Sequence, residues 1–142
     1  MTRFRMSAIR TEQFAILSEK KPSEDFRIHT QMEVKYAVED RNLGIVVTFR
    51  FGEKESPFML LSVFCGFGIH PEDWQGFVQE GRIVIPKSLL DYLLSQTIGT
   101  ARGILHCKTE GTPFNSVILP PFDVSTWIAE DLVIGTSAPA EA

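Results

Sequence analysis

The sequence predicts an α+β fold: a four-stranded antiparallel sheet followed by a short helix and one long helix packed on one face. Three observations predict it. Apolar residues recur at every second position in long runs in the first half of the chain. They recur with a 3.6-residue period in one long run in the second half. The strand-like runs all precede the helical block, which is the order of an antiparallel sheet with helices segregated to one face.

The first strand is read in residues 1–20. Phe4, Met6 and Ala8 alternate, then Phe14 and Ile16 alternate. The break between the two series predicts a bend or bulge in the middle. The polar KKPSED stretch at 20–25 ends that strand. Residues 26–38 give the clearest strand: Phe26, Ile28, Thr30, Met32, Val34, Tyr36 and Val38 hold every second position, with polar groups at most of the others. A helix of this sequence would scatter its apolar groups over all faces, whereas a period of two puts one set on a core and the other in water. EDRN at 39–42 is a turn.

Residues 43–51 alternate again, with Leu43, Ile45, Val47, Phe49 and Phe51 on one side. GEKES at 52–56 is a hairpin connection. The strand at 57–67 differs from the others because both faces are apolar: Met59, Leu61, Val63 and Cys65 on one, Phe58, Leu60 and Phe64 on the other. Such a strand must be covered on both sides, by chain, partner subunit or ligand.

Residues 71–79 predict a short helix, with Pro71 at its first position and Glu72 and Asp73 near its positive end; Gly81 terminates it. The main helix is predicted over 85–108, opened by Pro86 and stopped at Gly111. Its apolar stripe runs through Leu89, Leu90, Leu93, Leu94, Ile98, Ala101 and Leu105. Gly99 and Gly103 each cost it about 1 kcal/mol relative to Ala. Together with Ala101 they predict close approach of another helix or sheet, or a kink. The tail from Gly135 on is small and polar and is expected to lack fixed structure, leaving residues 1–134 as a single domain.

The totals exclude several function classes. The chain has 142 residues, one domain's worth, with a net charge of −4 and 14 Lys and Arg in no basic block, which argues against nucleic acid. The longest apolar stretch, 57–69, is too short for a membrane-spanning helix of about 20 residues. No signal-peptide core is present in residues 1–10, and Cys65 and Cys107 form no CxxC pair, so a cytoplasmic location with reduced thiols is expected.

Nothing reads as a catalytic or metal centre. His29, His70 and His106 are scattered, and His106 beside Cys107 is no dyad, since helical neighbours point apart. Gly66, Phe67 and Gly68 lack the lysine of a phosphate loop and the third glycine of a dinucleotide turn. No catalytic residue, metal or cofactor is therefore expected, and the chain is read as a non-enzyme.

The remaining signal is apolar surplus: 11 Phe, two Trp and two Tyr in a short chain. Each large apolar side chain contributes about 1.5–3 kcal/mol when buried. Phe58, Leu60, Phe64, Phe67, Trp74 and Phe77 concentrate at the end of the both-sided strand and the short helix. They serve either as core and oligomer interface or as a groove for extended apolar polypeptide. Phe64, Phe67, Trp74 and Phe77 are the candidate groove residues.

The order of the motifs carries one further reading. IVIP at 83–86 opens the long helix, and GTPFNSVILPPFD at 111–123 follows it: a helix stop, an apolar run, a Pro120-Pro121 break and the Phe122-Asp123 pair. With the strand ending Gly66-Phe67-Gly68-Ile69, this arrangement resembles the SecB family of export chaperones over about residues 4–130. The resemblance implies a homo-oligomer, a dimer or a tetramer built as a pair of dimers, with sheets facing out and long helices in the middle. Leu89, Leu93, Ile98, Ala101 and Leu105 would line that assembly interface. It also implies ATP-independent binding of unfolded or extended clients and handover to the SecA translocase. Two departures stand against the export role: the main helix is longer here, and 57–69 contains no carboxylate where the family carries the outward acid that docks the motor. Relatives that accompany toxin–antitoxin pairs, and a self-assembling interaction or scaffold protein of the same fold, are the alternatives; a closed small-ligand cavity behind the sheet is a third.

Overall fold

The structure, a computed structural model, describes residues 1–20 and 25–135. Four strands form the main sheet: β1 (Phe4–Ile16), β2 (Ile28–Ala37), β3 (Asn42–Gly52) and β4 (Pro57–Ile69). All pairings are antiparallel, and the spatial order is β1-β4-β3-β2. The meander β2-β3-β4 follows from the two polar turns. β1 then lies against β4, which fills the sheet's second central position.

The break in the β1 pattern is a pair of bulges. Register shifts occur between Met6 and Ala8 and between Thr11 and Gln13. Each extra residue flips the parity of the strand. The inward positions are therefore Phe4 and Met6, then Ile9 and Thr11, then Phe14 and Ile16.

The alternation in β3 and β4 is almost complete. Leu43, Ile45, Val47, Phe49 and Phe51 point inward and are buried, as are Met59, Leu61, Val63, Cys65 and Phe67. The long helix α2 (Lys87–Lys108) covers this inner face with Leu89, Leu90, Leu93, Leu94, Ile98, Ala101 and Leu105. Behind it, the segment after α2 contributes Phe114, Val117, Leu119 and Ile128 to the same core, and Phe122 stacks on Phe49 at 5.9 Å. Arg102 pins that segment to the helix: its Nε donates to the Leu119 carbonyl (2.7 Å) and its Nη2 to the Pro120 carbonyl (2.8 Å). Lys87 ties the other end, donating to Asp91 (2.6 Å) and to the Ser125 carbonyl (2.9 Å).

Three sequence expectations change. The short helix α1 is confined to Pro71–Gln75, with His70 as its cap: Nδ1 accepts from the Glu72 N–H at 3.2 Å. The chain then forms a second, three-stranded sheet from β5 (Val78–Gln79), β6 (Arg82–Ile85) and β7 (Leu132–Gly135), in the order β5-β6-β7. Glu80 and Gly81 have φ of 47° and 79°. Two successive positive φ values make the tight turn that right-twisted hairpin strands favour, so Gly81 turns a hairpin instead of stopping a helix. Ile83 and Ile85 point into the core from β6, and Pro86 caps α2 from an extended conformation instead of occupying its first turn.

At the other end α2 stops at Lys108. Thr109 Oγ1 donates to the Leu105 carbonyl and Asn115 Nδ2 to the His106 carbonyl, which partners carbonyls the ending helix leaves open. Gly111, at φ 79°, reverses the chain. Gly135 belongs to β7, and the rest of the expected tail lies outside the described residues, as does most of the 20–25 loop.

Candidate functional site

All the helix and loop packing described above is on the inner face of the main sheet. The outward face is set by the register. Partners directly opposite in an antiparallel pair share a face, so the outward side chains form rows across the four strands. One row is Arg5, Gly68, Asn42 and Ala37. The next is Ala8, Gly66, Gly44 and Lys35, and the third is Arg10, Phe64, Val46 and Glu33. Below these, Gln13, Ser62, Thr48 and Gln31 form a polar row in which Thr48 and Ser62 share a 2.9 Å hydrogen bond. Ala15, Leu60, Arg50 and His29 make the last.

Phe64 is the centre of this face. Its ring lies over the two glycines of the neighbouring row: a Cβ added at Gly44 would stand 2.5 Å from the ring, and one at Gly66 would stand 3.3 Å from it. Removing both side chains from that row lets the ring lie down on the backbone. The Arg10 guanidinium sits 4.0 Å from the ring centroid on the solvent side, a cation–π contact. Beside the ring is a shallow depression of about 300 Å³ lined by Ser7, Ala8, Arg10, Lys35, Gly44, Phe64 and Gly66. Val46, Leu60 and Phe64 remain half-buried, so the face offers a discontinuous apolar surface rimmed by cations.

The four residues expected to form the groove are not brought together. Phe64 and Phe67 are an odd number of residues apart on one strand and therefore point to opposite faces. Phe67 is fully buried under α2, with Phe4 edge-on at 5.8 Å. Trp74 is 5% exposed and belongs to the core, and Phe77 leans on it, half-buried, at 6.3 Å. Phe58, on the Phe64 side by sequence parity, packs its ring between Phe26 (5.2 Å) and Phe114 (5.8 Å). Of the four, Phe64 alone stands on the uncovered face.

The five residues expected at an assembly interface are likewise in this chain's own core: Leu89, Leu93, Ile98, Ala101 and Leu105 range from 0% to 7% exposed. Their stripe is consumed by the sheet. The outward side of α2 carries Ser95, Gly99 and Gly103 instead, and a Cβ at Gly103 would meet nothing within 4 Å. The large apolar groups left in water near α2 are Ile9 (54%) and Tyr92 (40%), on the margin where β1 meets the helix. What sequence reasoning missed was the Gly44, Gly66 and Phe64 cluster. Its signal was present, since glycines opposite one another in adjacent strands leave room for a ring, but it needed the register.

Among the described residues no three His, Cys, Asp or Glu side chains converge as a metal site, and no helix is long and apolar enough to cross a membrane. The Cys65 thiol faces Thr97 and Thr100 beneath the sheet, and burial pushes its pKa up.

No family model matches the chain, and none of the curated proteins does. Among solved structures it is similar to the SecB-like chaperone Rv1957 of Mycobacterium tuberculosis, determined in complex with a ChAD peptide from the Rv1956 HigA1 antitoxin. The likeness has a TM-score of 0.52 at 12% identity and covers 84% of this chain and 91% of that one. The main sheet and the short and long helices packed against it thus reproduce the SecB-like fold.

Proposed function

We propose that this chain is a polypeptide-binding protein of the chaperone type, which holds an extended segment of a dedicated partner on the outward face of its main sheet, independently of nucleotide and without an export role. The observation that carries this reading is the contrast across β4: its inner face is covered by α2, while its outward face presents Phe64 and Leu60, with Val46 of β3 beside Phe64 and, among the described residues, only neighbouring strands around them. A strand apolar on both sides needs a cover on both. A bound extended chain supplies one, with alternate side chains pointing down onto the sheet. The similar chaperone was solved with an antitoxin peptide, which supports a dedicated client over general traffic to a translocase. The absence of any carboxylate in residues 57–69 supports the same preference.

The test is suppression of aggregation of a chemically unfolded protein in the absence of nucleotide, for the wild type and for Phe64→Ser. Suppression by the wild type that is lost in Phe64→Ser, with the variant still folded at the assay temperature, is expected. Equal suppression by both proteins removes the outward face as the site.

A second reading is favoured by Ile9 and Tyr92: self-association along the margin between β1 and α2. Sedimentation of wild type against Tyr92→Glu decides it, since an interface there dissociates when the charge is introduced.

A further inference from the structure

Resting on the peptide-binding reading, we propose that the outward face selects extended segments in which acidic residues flank a bulky apolar residue, in the pattern acid-x-apolar-x-acid. The chain as a whole carries a net charge of −4, yet this face is rimmed by Arg5, Arg10, Lys35 and Arg50 against Glu33 and the bulge residue Glu12. Arg10 is shared between the Phe64 ring and Glu12, at 3.8 Å, and Arg50 donates to Gln31. Among the described residues Arg5 and Lys35 make no ion pair.

The positions of these cations set the pattern. The apolar depression lies in the row of Ala8, Gly66, Gly44 and Lys35; Arg5 stands one row beyond it and Arg10 one row before it. Successive rows on one face are two residues apart, about 7 Å. An extended peptide parallel to the strands presents its own side chains at that spacing. A bulky residue seated beside Phe64 therefore puts the residues two before and two after it near Arg10 and Arg5, with Lys35 beside the seat. Carboxylates at those positions gain charge-assisted contacts on either side of the apolar seat. A second copy docked through the same face would set these cations against their equivalents, so the occupant is a different polypeptide.

The experiment measures fluorescence anisotropy of three labelled peptides with the same central Phe, flanked by Glu, by Gln or by Lys. We expect the Glu-flanked peptide to bind about tenfold more tightly than the Gln-flanked one, the Lys-flanked one to bind weakest, and the differences to shrink in high salt. Arg5→Gln with Lys35→Gln, at side chains that hold no ion pair among the described residues, should remove most of the advantage of the Glu-flanked peptide, leaving the share that Arg10 supplies. Equal binding of all three peptides overturns the acidic preference and leaves the peptide-binding reading standing. Failure of all three, the Gln-flanked one included, overturns that reading and the preference with it. A Glu preference undiminished by the double substitution places the acid elsewhere and overturns the assignment. So does equal competition by a single-stranded oligonucleotide, or a dimer that the double substitution dissolves.

Discussion

β4 separates two surfaces built by the same strands. On its inner side Phe67 sits at 0% exposure, and α2 and the segment after it close over that side. On its outer side Phe64 lies on two glycines under one arginine. Both are phenylalanines three residues apart in the same strand, and both strand faces read as apolar. The difference is the cover. The inner side received a helix with a matching apolar stripe, and its side chains can only be structural. Among the described residues the outer side received no helix. Its apolar groups are spread out, broken by the Thr48 and Ser62 hydroxyls and rimmed by cations, so they stay in water without merging into one patch. An apolar strand face is informative about binding only once the fold shows which side was left open.

The widest gap between the two faces should appear in their energetics. Phe67→Ala is expected to cost about 3–5 kcal/mol of unfolding free energy, as large-to-small changes at buried aromatic sites do. Phe64→Ala should cost about 1 kcal/mol, little more than the cation–π contact and partial burial it gives up. Urea denaturation of both variants checks this, and equal losses would erase the distinction between the faces.

Gly44→Ala probes the seat of the outer ring. Its Cβ would lie 2.5 Å from the present ring position, so the ring must swing away. Because the moving group is the far end of a side chain on an open face, about 1 kcal/mol of stability should be lost. Peptide affinity should fall with it, and titration calorimetry would show unchanged affinity if the ring is irrelevant to the site.

The outward side of α2 offers a smaller and opposite effect. Gly103 is exposed in the helix interior with open space around it, so Gly103→Ala should stabilise the chain by up to about 1 kcal/mol. A drop in the thermal midpoint instead would show that something packs on this helix face.

The smallest effect belongs to the surface tie that holds the start of β1 to α1. Asp73 Oδ2 accepts from Arg3 Nε at 3.0 Å and from the Arg3 backbone N–H at 2.7 Å. The Arg3 side-chain hydrogen bond, then the backbone one, lower the Asp73 pKa from 3.8 to about 2. A depressed carboxylate pKa means the ionised form is favoured by folding. The contribution is complete above pH 3.8 and is lost as the pH falls toward 2. Asp73→Asn should be slightly less stable than the wild type at neutral pH, and the two acid-denaturation curves should converge over that window. A gap that persists below it would assign the effect to something other than ionisation.

Much of the fold was legible because long strands and one long helix each repeat their period several times. The sheet, the two-sided character of β4, the irregularity of β1 and the stop after Lys108 all follow from local pattern and turn residues. The small sheet was not legible. β6 and β7 are four residues each and some 50 residues apart in sequence, too short to establish a period. The site was half legible. Phe64 was singled out, but Phe67, an odd number of residues along the same strand, points to the opposite face, and Trp74 on α1 went to the core. The helix stripe of Leu89, Leu93, Ile98, Ala101 and Leu105 was expected to line an assembly interface, whereas within this chain it is already buried in the core beneath the sheet.

What the sequence by itself determined is therefore the set of elements and the two faces of each: alternation fixes which side chains share a side, and turn residues fix where strands end. Only the tertiary structure decided which side is covered, which distant strands pair, and that Gly44 and Gly66 meet beneath Phe64. Those outcomes depend on contacts between residues far apart in the chain, whose pairing is set by the best burial of the whole core and by register. No local pattern encodes either.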